Sequence, residues 1–203
     1  MSREPADRHQ QILAIAAALF ASKGVAATTV REIADEVGIL SGSLYHHFDS
    51  KEAMVDQILA PYLKDLGEAY RLVLSRTADP RSKLGDLVVA SLRVAEAHPH
   101  ATEIYQSDVN YLSQFERFSY LTAAATQARR AWLDVIGDGV KQGAFRADVD
   151  PGIIYRLMRD AIWLSVRWFR PTQQYPLTQF AEDCTSLFID GVAVPTAAAY
   201  SEP

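Results

Sequence analysis

The chain has 203 residues, 49% of them hydrophobic and 22% charged, with a net charge of −5, a balance that excludes a disordered polyelectrolyte and admits a small domain beside a larger one. Its single cysteine, Cys184, excludes an internal disulfide framework and fits a reducing compartment, where it reads as a small apolar filler. No run approaches the roughly 20 apolar residues that cross a bilayer, and MSREPADRHQ lacks the apolar core of a signal peptide, so a cytoplasmic protein without membrane association is expected.

A first helix is expected from about Asp7 to Ser22, with Ile12, Leu13, Ile15, Ala16, Leu19 and Phe20 on a broad apolar face and Gly24 as its stop. Thr28 and Thr29 then supply hydroxyls where a second helix begins, and Glu32, three residues after Thr29, completes a capping box. Val30, Ile33, Ala34 and Val37 recur at helical spacing before Gly38. After a three-residue turn, Ser41 is expected to cap a third helix. Its Leu44 and Phe48 would point inward, leaving Gly42, Ser43, Tyr45 and His46 outside.

This is the pattern of a helix-turn-helix that reads DNA. A recognition helix places its N-terminal residues against base edges, and bulky side chains there would hold it out of the major groove. Ser41, Gly42 and Ser43 avoid that obstruction. Thr28, Thr29, Tyr45 and the helix start near Ser50 and Lys51 offer donors for phosphate. Arg31 either reaches a phosphate or is solvated, and His47 either fills a gap or faces water.

SGSLYHHFDSKEAM, preceded by TTVREIADEVGI and by a first helix ending LFASKGV, strongly resembles the DNA-binding domain of TetR-family transcriptional regulators. The resemblance implies an all-α protein: a helix-turn-helix domain at 1–50, a helical ligand-binding and dimerisation domain at 51–195, and a loose tail at 196–203. It also implies a homodimer on palindromic operator DNA that lets go when a small molecule enters the body. On that pattern Thr28, Ser41, Gly42, Ser43, Tyr45, His46 and Lys51 occupy DNA-contacting positions, while Leu44 and Phe48 hold the head together. Residues 1–52 nevertheless carry five Lys/Arg against seven acids. Binding must then use a few placed donors and helix ends, with two heads acting together and a shallow dependence on salt.

Beyond the head the expectation is helix throughout. One helix begins near Ser50 and carries Met54, Val55, Ile58, Leu59, Leu63, Leu66, Tyr70 and Val73, with Pro61 inside it as a kink or a division. Others are expected at Asp79–Ala97, Ala101–Leu112 and Ser119–Gln142, separated by His98-Pro99-His100 and followed by Gly143. Asp150-Pro151 starts a helix running to about Arg170, and a last one spans about Thr178–Val192.

At 100° per residue, Arg156, Arg159, Trp163, Arg167 and Arg170 fall on one stripe of the Asp150–Arg170 helix. Leu157, Met158, Ala161, Ile162, Leu164 and Phe169 fall opposite. Such a stripe suits an anion, because arginine offers a planar fork to phosphate and indole can stack on a ring. It equally suits a face paired with acids such as Asp160, or a dimer seam. The aromatics Tyr62, Tyr70, Tyr105, Tyr111, Phe115, Phe118, Tyr120 and Trp132 lie on segments that line the pocket in the resembled family, although most such residues are simply core. An apolar cavity beside arginines suggests an acyl-CoA thioester.

LSGSLYHHFDSKEAMVDQIL, IYQSDVNYLSQFERFSY and YRLMRDAIWLSVRWFRP together resemble the KstR-type regulators of sterol breakdown in actinobacteria, in particular the subgroup governing the late ring fragments. That resemblance implies a repressor induced by the CoA thioester of a bicyclic steroid remnant. Trp163 and Arg167 lead the ligand candidates, with Tyr105, Tyr111, Phe115 and Arg170 beside them.

Enzyme chemistry finds no footing. Ser43, His47 and Asp49 crowd one short segment without a separate orienting carboxylate or oxyanion hole. The histidine clusters have no zinc spacing, and nothing calls for a cofactor. The alternative from another class is a helical ligand-binding or scaffold protein whose head does not bind DNA.

Overall fold

The structure, a computed structural model, describes residues 5–192, and among these it is helical with no strand. The expected tail at 196–203 lies outside the described residues. Nine α-helices follow in order: α1 (Pro5–Lys23), α2 (Val30–Val37), α3 (Ser41–Leu44), α4 (Lys51–Ser75), α5 (Pro80–Ala97), α6 (Pro99–Leu112), α7 (Tyr120–Lys141), α8 (Pro151–Leu164) and α9 (Leu177–Val192). Short 3-10 turns at Glu116–Phe118 and Ser165–Arg167 complete the described chain. Two compact units result, one from the chain up to Asp65 together with Ala97–Ala124, the other from Leu66–Glu96 and the chain from Ala125 on.

The first unit buries Ile12, Ala16 and Phe20 of α1 with Ile33 and Ala34 of α2, Leu44, Phe48, Met54 and Val55. Here α1 packs on α2 and α6. The capping box of α2 is present: Thr29 Oγ1 accepts from the Glu32 N–H at 3.2 Å, and Glu32 returns a carboxylate oxygen to the Thr29 N–H at 2.8 Å. At the other end Gly38 takes φ 75°, a conformation that costs a side chain dearly, and the Ile39 N–H reaches back to the Ala34 carbonyl at 3.0 Å.

Three expectations are corrected. Ser41 does not cap α3: Leu40, extended at φ −70° and ψ 140°, occupies the cap without a side-chain bond, and Ser41 is already the first helical residue. The helix also lasts only one turn, because two serines and a glycine favour it poorly and the chain continues as turns through His47. Second, α6 starts at Pro99 rather than Ala101, since a proline in the first helical position forfeits no hydrogen bond. Third, the helix opened by Asp150 stops at Leu164, six residues before Arg170. The N–H groups of Trp168 and Phe169 both turn back to the Ser165 carbonyl, at 3.1 and 2.7 Å, and Pro171 disfavours helical geometry just beyond. Pro61 sits exposed within α4, which runs through it undivided.

The second unit buries Leu84, Leu87, Val88 and Leu92 of α5, Trp132 and Ile136 of α7, Phe145, then Ile154, Met158 and Ile162 of α8, and Phe180 and Ile189 of α9. Asp150 caps α8 as the sequence suggests, accepting from the Gly152 and Ile153 N–H groups at 2.8 and 3.2 Å. Close packing depends on two glycines. A Cβ on Gly139 would enter the ring of Phe145, and one on Gly85 would stand 2.9 Å from Thr185 Cγ2.

Candidate functional site

The residues expected to meet DNA fall into two groups in the first unit. On and after α3, Gly42, Tyr45 and His46 are exposed and Ser41 and Ser43 half-buried, while Leu44 and Phe48 anchor the turn from beneath. Tyr45 exposes 56% of its surface. The second group surrounds the loop between α1 and α2. Thr29 is exposed and engaged in its capping box, but Thr28 is buried, its hydroxyl donating to the Gly24 carbonyl at 2.8 Å. The Lys51 ammonium is turned inward as well, donating to the Val25 and Thr28 carbonyls at 2.7 and 3.0 Å.

The other basic side chains described in this region have partners. Arg8 donates to Gln11 and to the Val37 carbonyl, Lys23 pairs with Glu32 at 3.0 Å, and Arg31 faces Asp35 at 3.8 Å. The Thr29 backbone N–H, then the Lys23 ammonium and the Thr29 hydroxyl, hold the Glu32 carboxyl at about 2, well below its ordinary 4.5.

Two residues that the sequence did not single out stand beside this surface. Leu40, 80% exposed, directly precedes Ser41. Asp108 on α6 is buried and accepts the Val25 N–H at 3.2 Å, and burial raises its carboxyl above the usual range. A signal for Asp108 was available: Ala101, Ile104, Asp108 and Leu112 share one helical face, and all four are buried. An acid in the middle of an apolar stripe needs a partner.

The ligand candidates divide between the units. In the first, Tyr105, Tyr111 and Phe115 are half-buried, with Tyr105 5.8 Å from Tyr62 and Tyr111 edge-on to Phe115 at 5.2 Å. In the second, Trp163 is buried, whereas Arg167 lies exposed in the 3-10 turn and Arg170 curls its guanidinium onto the Val166 and Phe169 carbonyls.

The single arginine stripe does not survive the end of α8, because Arg167 and Arg170 lie beyond the regular helix. Its faces differ too. Trp163 belongs to the buried side with Ile154, Tyr155, Met158 and Ile162, while Leu157 is 67% exposed and Leu164 also faces out. Arg159 engages Asp160 and lies over the Tyr155 ring at 5.6 Å. Apolar periodicity alone cannot tell an inward face from one awaiting a partner.

Among the described residues no group of His, Cys, Asp and Glu could hold a metal ion, and no helix is long and apolar enough to cross a membrane.

Comparison with known proteins agrees with this geometry. Residues 12–58 match the family of bacterial regulatory proteins of the tetR family, and residues 77–192 match the tetracyclin repressor-like C-terminal domain. The chain is 45% identical over 202 residues to the HTH-type transcriptional repressor KstR2 of Rhodococcus jostii, covering 96% of this chain and 99% of that one. The structure of the ketosteroid transcriptional regulator KstR2 of Mycobacterium tuberculosis, 42% identical, superposes with a TM-score of 0.85 over 93% of this chain and 96% of its own. AibR, solved with isovaleryl coenzyme A and operator DNA, shares the fold at 20% identity, with a TM-score of 0.73 over 89% of this chain and 97% of its own. With both its head and its body matched, and with near-complete overlap with these repressors, the chain belongs to the TetR family of bacterial regulatory proteins and is a transcriptional repressor of the KstR2 kind, not an enzyme.

Proposed function

We propose that the protein binds palindromic operator DNA as a homodimer and is released by an acyl-CoA thioester derived from steroid breakdown. The observation that carries this reading is the 45% identity to a KstR2 repressor across almost the whole of both chains. The ketosteroid regulator from M. tuberculosis supports the steroid connection, and AibR supports the capacity of the same fold for a coenzyme A thioester and operator DNA.

Ser41, Gly42, Ser43, Tyr45 and His46 approach the bases and nearby phosphates, with Thr28, Thr29 and Lys51 shaping the loop behind them. Ile153, Leu157, Leu164, Trp168 and Leu187, all exposed on or beside α8 and α9, supply an apolar seam for a second copy. In the second unit Trp163, Arg167 and Arg170 are the residues proposed to meet the inducer, and Tyr105, Tyr111 and Phe115 are proposed ligand residues of the first unit, taken by itself. A regulator acting on chromosomal DNA works in the cytoplasm.

The test uses a palindromic promoter fragment from beside the protein's own gene, with CoA, a fatty acyl-CoA and a steroid-derived acyl-CoA added in turn. Specific binding lost only with the steroid thioester is expected. Release by free lipophiles would remove the arginines from the ligand site, and no binding to the fragment would favour a helical ligand-binding or scaffold protein. Trp163→Ala and Arg167→Ala should bind the fragment yet ignore the thioester. Normal responses from both would sink that assignment.

A further inference from the structure

The loop joining α1 to α2 is held by two side chains of opposite charge from different helices. From α6, Asp108 Oδ1 accepts the Val25 N–H at 3.2 Å. From α4, the Lys51 ammonium donates to the Val25 carbonyl at 2.7 Å and to the Thr28 carbonyl at 3.0 Å. Both backbone polar groups of Val25, a residue with no exposed surface, are therefore gripped by charged side chains. Gly24, directly before Val25, takes φ +86°, a backbone conformation that side chains rarely adopt.

The choice of an acid at this position is informative. Asp108 Oδ2 is buried without a hydrogen-bond partner, a poor arrangement for an ionised group. A neutral acceptor would serve the Val25 N–H without that cost. What the carboxylate adds is charge, and the Lys51 charge acts on it favourably.

We propose that Asp108 and Lys51 form a charged clamp on Val25 that sets the α1–α2 loop and thereby the angle at which α2 and α3 meet DNA. Asp108, outside the helix-turn-helix, is then a positioning residue for DNA reading. It touches no base or phosphate. The clamp rests on the DNA-reading role of the head and adds to it a specific grip from α6.

The test compares full-length protein with Asp108→Asn and Asp108→Ala, measuring hydrogen exchange at the Val25 amide and affinity for the promoter fragment across a salt series. Asp108→Asn keeps an oxygen for the Val25 N–H, so protection there should persist while affinity falls severalfold. Asp108→Ala should speed Val25 exchange and weaken DNA binding by about 10-fold each, the scale of one hydrogen bond to a charged group. The salt slope should not change, because no phosphate contact is removed. Combined with Lys51→Met, Asp108→Asn should cost less than it does alone, as coupled partners require.

Unaltered Val25 exchange in Asp108→Ala would overturn the clamp, as would faster exchange with wild-type affinity or a changed salt slope. If Asp108→Ala fails to fold, Asp108→Asn decides: wild-type affinity in that variant overturns the proposal. If the wild-type protein ignores the fragment, the DNA-reading role of the head fails, and Val25 exchange in Asp108→Ala still decides separately whether the clamp on the loop exists.

Discussion

Glu32 binds the start of α2 to the end of α1, accepting from the Thr29 N–H and pairing with Lys23. Its folded value of about 2 lies below the ordinary 4.5, so its contribution is fully present above roughly pH 4.5 and is lost as the pH falls towards 2. A carboxyl titration followed by NMR should give that low midpoint, with loss of the α2 cap signals in step. Midpoint and signals near 4.5 would show the cap to be absent in solution. Thr29→Ala should cost about 1 kcal/mol in thermal or denaturant unfolding, the usual scale of a lost N-cap. At Gly139 the prediction concerns shape rather than charge. Gly139→Ala drives a methyl into the buried Phe145 ring and should destabilise the fold by about 1–3 kcal/mol, in part relieved by Phe145→Leu. An unchanged melting temperature for Gly139→Ala would mean that the ring has room to move.

Among the elements, α8 marks the boundary of what the sequence discloses. Its start was legible because Asp150 and Pro151 are local signals, and both act as such. Its end was not, because Ser165 to Pro171 contain no glycine stop and helical spacing of arginines continues past the true terminus. Nor could period alone assign its faces, since the helix is apolar on two sides. Met158, Ile162 and Trp163 go inward, while Leu157 remains 67% exposed and Leu187 on α9 75%. If that outer apolar surface is the proposed seam, Leu157→Glu together with Leu187→Glu should yield monomers by light scattering. Unfolding should shift little, because exposed substitutions rarely exceed about 0.5 kcal/mol. A dimer that survives both charges would locate the seam elsewhere.

At the scale of the whole molecule, the helix-turn-helix could be read directly, although its second cap was misplaced at Ser41, because the Thr29–Glu32 capping box, the Gly38 stop and the apolar spacing all lie within a few residues of one another. The hold on its first loop could not, because Asp108 is 83 residues from Val25 and Lys51 is 26. Only packing brings them there. The same packing changes the meaning of the head's few cations. Lys51 serves two carbonyls, Lys23 and Arg31 face acids, and Arg8 reaches a carbonyl of α2. Affinity for the promoter fragment should therefore vary with salt more shallowly than for a polybasic binder, each neutralised phosphate adding about 0.9 to the logarithmic slope. A steep slope, of the order of −10, would contradict this account. With Lys51, Lys23 and Arg8 engaged within the protein and, among the described cations of the head, Arg31 alone largely exposed, a weak attraction for arbitrary DNA is expected, and sliding along a chromosome depends on that attraction. A repressor with so little non-specific attraction would find its site mainly by repeated three-dimensional encounters. Few molecules would then be sequestered on the rest of the genome, and a small number of copies per cell would suffice to keep an operator occupied.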